Sequence, residues 1–86
     1  MLHVVKAIYL QRFQIELTFS DGFVGIADLE GRLTGPIFAP LNDLNAFQQF
    51  ELEGHTLSWK SGADFAPEYL RELASANEKN RVAASA

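Results

Sequence analysis

His3 and His55 are the only side chains here whose ordinary charge change falls near neutrality, so a general base or an imidazole metal ligand would have to come from them. A lone histidine near a terminus or a turn is most simply a solvated side chain. Both nevertheless lie near strand starts, and a fold that joined those starts would bring them together. A serine nucleophile needs a base beside it, and Ser20, Ser58, Ser61, Ser75 and Ser85 sit in no nucleophile-elbow context. A hydrolytic metal site needs converging imidazoles and carboxylates. Glu51 and Glu53 share one face of one short segment, which is the pattern of a wet strand face. No glycine pattern matches a phosphate-cradling loop. No catalytic set, cofactor site or metal site is assigned on these grounds.

Trp59 and Asp64 are the remaining candidates. They bracket Trp59-Lys60-Ser61-Gly62-Ala63-Asp64, which joins a strand to a helix start. In the structural reading Trp59 anchors the core and Asp64 organises the loop by accepting backbone N–H bonds. In the functional reading the two form the rim of a site for a partner or ligand.

The elements that must position these residues follow from periodicity. Val4 to Leu10 reads as a strand with apolar residues on both faces, and burial of both faces is expected. In Phe13 to Phe19, Phe13, Ile15, Leu17 and Phe19 alternate with Gln14, Glu16 and Thr18, giving one core face and one wet face. Gln11-Arg12 joins these two strands in a hairpin. Asp21-Gly22 then predicts a hairpin of type I′ into Phe23–Ala27. Asp28 is placed to cap a weak helical turn through Leu29 and Leu33. Gly35-Pro36-Ile37-Phe38-Ala39-Pro40-Leu41 excludes a regular helix, and its apolar residues should pin it to the core. Asn42 is a candidate cap for a short helix carrying Leu44 and Phe47. Phe50–Glu53 and Thr56–Trp59 form a second hairpin around Gly54. Pro67 opens a helix whose inward stripe is Leu70, Leu73 and Ala74, with Glu68, Arg71 and Glu72 outward. The fold class is thus α+β: a three-stranded antiparallel meander, an irregular Pro-rich segment with a short helix, a second hairpin, and a C-terminal helix on the sheet. One domain is expected over residues 1–77, followed by a frayed tail over 78–86.

Composition narrows the function classes. The 86 residues are 48% hydrophobic and 21% charged, which suits one globular core. Cysteine is absent, which excludes disulfides and thiolate metal sites and favours a cytoplasmic location. Met1–Lys6 lacks the pattern of a signal peptide, and no run approaches the length of a membrane span. The net charge of −4 and the scattering of seven Lys and Arg argue against direct nucleic-acid binding. The expected partner is another small protein or a second copy of the chain, since small domains often stabilise themselves by association.

Several segments together resemble a known family. They are Phe19-Ser20-Asp21-Gly22, Asp28-Leu29, Gly35 to Leu41, Phe47, Trp59, and Gly62-Ala63-Asp64-Phe65-Ala66-Pro67-Glu68-Tyr69-Leu70. In order and spacing they look like the bacterial domain-of-unknown-function family numbered twenty-four forty-two, through nearly all of Val4 to Leu73. Lys60 departs from the pattern, because a proline is common after the Trp. The resemblance implies a compact α+β fold, found alone or joined to a helix-turn-helix domain. It also implies a toxin–antitoxin-like arrangement with a second small protein. It supplies no catalytic residues. The function expected is a small protein-binding module, the neutralising or regulatory half of such a pair. The alternative is a small-ligand binder or a homodimeric adaptor without catalysis.

Overall fold

The computed structural model describes the backbone of residues 1–85 and the side chains of residues 1–76. Its strands are β1 (Val4–Gln11), β2 (Gln14–Phe19), β3 (Val24–Asp28), β4 (Glu51–Glu53) and β5 (Thr56–Ser58). A 3-10 turn (Ala39–Asn42) and a short helix α1 (Leu44–Phe47) separate β3 from β4, and helix α2 (Pro67–Ser85) follows β5. The first three strands form an antiparallel sheet in the order β1-β2-β3, and β4 and β5 form a second, two-stranded sheet. This is the α+β architecture expected from the periodicity. The frayed tail expected over 78–86 lies outside the residues described in full.

β2 obeys its alternation. Ile15, Leu17 and Phe19 are buried, and Phe13, in the turn before it, is buried as well. β1 departs from expectation, because it is buried on one face only. Ala7 pairs with Leu17 and Tyr9 with Ile15, which places them on the core face, while Ile8 lies opposite Glu16 on the outer face. A register shift between Val4 and Lys6 frees Val5 from the ladder and leaves it exposed. No layer covers the outer face among the described residues, so Ile8 and Leu10 stay open to solvent.

The turns also sort differently. Asp21-Gly22 is not a type I′ pair. Phe19 N donates to Phe23 O at 2.9 Å and Gly22 N donates to Phe19 O at 2.9 Å, so the loop has three residues and only Gly22 takes a positive φ (91°). That is a type I turn closed by a left-handed residue. The two-residue turn with two positive φ values is Gly54-His55, at 64° and 68°. At the β1–β2 hairpin Arg12 takes the positive φ, at 46°.

Asp28 does not start a helical turn. Its carboxylate accepts from Glu30 N at 3.0 Å, a local Asx turn that competes with helix. The cap of α1 is Asp43, which accepts from Asn45 N at 3.2 Å. Asn42 instead donates to Leu33 O and Ala39 O, tying the Pro-rich segment to the β3 exit. In that segment Leu41 is buried and Phe38 packs on Phe65, whereas Ile37 is exposed.

α2 begins at Pro67 as expected and presses Leu70 and Ala74 onto β3, with Leu73 half-buried. Arg71 is not outward. Its guanidinium lies 3.7 Å from the centroid of the Phe23 ring and donates to Asp21 at 3.0 Å and to Ser75 Oγ. Helix and sheet approach closely at Gly25, where a Cβ would meet the Phe23 ring at 2.6 Å and Ala74 Cβ at 3.1 Å. One core joins both sheets: Val4, Ile15, Leu17, Phe19, Ala27, Leu29, Leu41, Phe47, Leu57, Trp59, Leu70 and Ala74 belong to a single buried cluster. No helix among the described residues is long and apolar enough to cross a membrane.

Candidate functional site

Two open concavities lie around Trp59. The β4–β5 hairpin is held tightly by its Gly54-His55 turn, and the chain then folds back after β5. Gly62 N donates to Trp59 O at 3.0 Å, Trp59 N donates to Ala63 O at 2.9 Å, and Asp64 forms an isolated bridge with Ser58. Phe65 N reaches Leu57 O at 3.3 Å, and the buried Thr56 hydroxyl donates to Phe65 O at 2.6 Å. This double anchoring fixes the loop although it has no regular structure.

Trp59 itself is only 4% exposed, and its indole N–H donates to Phe47 O at 2.9 Å. It stands in an unbroken run of ring contacts: Tyr9 and Phe13 touch Phe47, Phe47 touches Trp59, Trp59 touches Phe65, and Phe65 stacks on Tyr69. The core-anchor reading of Trp59 therefore holds. The loop-organising reading of Asp64 does not. Its carboxylate is exposed and accepts no hydrogen bond among the described residues, because the backbone pairs hold the loop instead.

Two open grooves share Trp59, Glu51 and Lys60. The first, about 460 Å³, is walled by Pro40, Leu41, Ala46 and Phe50 and is mainly apolar. The second, about 450 Å³, carries Glu51, Glu53 and Asp64, with Lys60 as its one cation among the described residues. The segment expected to pin onto the core, with Pro40 and Leu41, also walls the first groove together with Phe50, and only the chain reversal after β5 brings Asp64 alongside Glu51 and Glu53.

The histidines do meet. Their rings stack with centroids 4.1 Å apart and planes 14° apart. The backbone builds this contact: Val4 N donates to His55 O at 2.9 Å, which seats the β4–β5 turn against the start of β1. No carboxylate among the described residues lies within 4.0 Å of either ring nitrogen. Ser20 Oγ accepts from the backbone N of His3 and not from an imidazole, so no activated hydroxyl results. Among the described residues no three His, Asp or Glu side chains converge to hold a metal ion.

The model of a family described as "Protein of unknown function (DUF2442)" matches residues 4–76. The chain belongs to the DUF2442 family. No curated protein and no solved structure matches it. In this DUF2442 protein the matched span takes in every strand, both grooves and the described side chains of α2, so the Trp59 corner lies wholly within the family's part of the chain.

Proposed function

We propose that this DUF2442 protein is a small protein-binding module whose partner seats at the Trp59 corner. The observation that carries the reading is the pairing of an apolar groove with an acidic one across shared residues. An apolar side chain of the partner fills the space beside Pro40 and Phe50, and a neighbouring Lys or Arg meets Glu51, Glu53 and Asp64. The chain's net charge of −4 favours the same kind of partner by long-range attraction. Trp59 serves as the rigid floor, and Asp64 as a rim carboxylate with no hydrogen bond to break among the described residues. A neutralising or regulatory role toward a basic small protein, in the cytoplasm, is the specific form we favour.

Affinity capture with the parent chain and with Phe50→Glu and Asp64→Lys variants tests this. One small basic protein should be retained by the parent and lost by both variants. Prey retained equally by all three would rule the corner out. The first groove is also within the size range of small-molecule sites, which supports a second reading as a small-ligand binder. A thermal-shift screen of metabolites separates the two, since only the second reading predicts stabilisation by a small molecule alone.

A further inference from the structure

Among the described residues, one edge of β4 has no strand partner. Its ladder to β5 is Glu51 with Ser58, Leu52 with Leu57, and Glu53 with Thr56. A two-residue turn closes on a pair that exchanges both of its backbone hydrogen bonds, here Glu53 and Thr56. Alternation then makes Leu52 and Leu57 the pair whose N–H and C=O groups point away from each other. The other side of the hairpin verifies this phase, because Leu57 O accepts from Phe65 N on the outer edge of β5. By the same rule the N–H and C=O of Leu52 point out of the free edge of β4. No backbone group among the described residues meets them there, and the Leu52 side chain is 41% exposed.

Charge selects the occupant. Pairing of two copies about Leu52 would set Glu51 of each opposite Glu53 of the other, and like charges facing across a ladder are destabilising. An extended segment with Lys or Arg on either side of an apolar residue reverses both contacts. We infer that β4 accepts such a basic, extended segment of a protein partner by strand addition, with the Leu52 N–H and C=O as its backbone contacts. This inference rests on the protein-binding reading and shares Glu51 and Glu53 with it, but takes its backbone contacts from the Leu52 edge, which lines neither groove.

The probe is a synthetic peptide of alternating Lys and Val, with an alternating Glu and Val peptide as control, titrated into the full chain and followed by amide NMR. The Lys peptide should shift the Leu52 amide and slow its hydrogen exchange, while the Glu peptide leaves both unchanged. Leu52→Pro removes the outward N–H and spares the bonds to β5, so it should weaken the Lys peptide about tenfold. Glu51→Lys with Glu53→Lys should transfer the preference to the Glu peptide, and it serves as an independent check should the proline variant misfold. Equal response to the two peptides, or an unmoved Leu52 amide, overturns the inference. Amide shifts confined to Leu41, Phe50 and Asp64 would overturn it while leaving the proposed function standing. A Leu52-dependent dimer seen by light scattering would also overturn it, because a second copy would then hold the edge.

Discussion

Trp59 is held at two levels, by ring contacts on both sides and by one hydrogen bond to Phe47 O. Trp59→Phe keeps most of the packing but strands that carbonyl in a buried setting, so a loss of about 1–3 kcal/mol is expected in chemical denaturation. Asp21 carries a different kind of information. Its carboxyl is held below the ordinary range first by the hydrogen bond from Phe23 N and then by the Arg71 guanidinium. A carboxyl lowered in the folded state contributes stability above its unfolded pKa, and that contribution is lost as pH falls through the lowered value. Asp21→Asn should therefore melt below the parent at neutral pH, and the gap should close as the pH is taken below about 4. A gap that stays constant across that range would mean the carboxylate charge is irrelevant at the turn.

At the level of elements, Gly25 sets the distance between α2 and β3. The Phe23 ring that an added Cβ would strike is itself covered by Arg71, so it has little room to withdraw. Gly25→Ala should cost about 1–3 kcal/mol by overpacking, measured as a lower denaturation midpoint with unchanged slope. This contact was hidden in the sequence, where Gly25 is simply part of the extended run Phe23–Ala27. The strands themselves were legible. The alternation in Phe13–Phe19 and the Pro67 helix start are local signals, and local signals specify elements. Which faces are covered is a tertiary matter, and it explains β1: its two apolar faces promised double burial, yet only one has a layer over it. Turn type failed for a related reason. Asp21-Gly22 suits several loops, and the Phe19–Phe23 closure chose a three-residue one. The site was half legible. Trp59 and Asp64 were singled out, but Glu51 and Glu53 read as a wet strand face until the chain reversal placed Asp64 beside them.

Across the whole molecule the two sheets form separate ladders that meet through the Val4 N to His55 O bond, they share a core, and Phe47 lies at their junction against Tyr9, Phe13 and Trp59. Phe47→Ala should cost about 3–5 kcal/mol, a large fraction of the stability of a domain this small. Both sheets should be lost together, so far-UV circular dichroism and the methyl NMR signals of Leu17 and Leu57 should report one transition. Separate midpoints for the two methyls would show that the sheets unfold independently. Trp59 adds a practical consequence. It is the only indole in the chain, and it is enclosed at the joint between the sheets. Its emission is therefore a single-site optical gauge of that joint, free of any second chromophore of its kind. A quencher added to the folded protein should leave the signal bright, and any opening of the joint should both dim it and move it to longer wavelength.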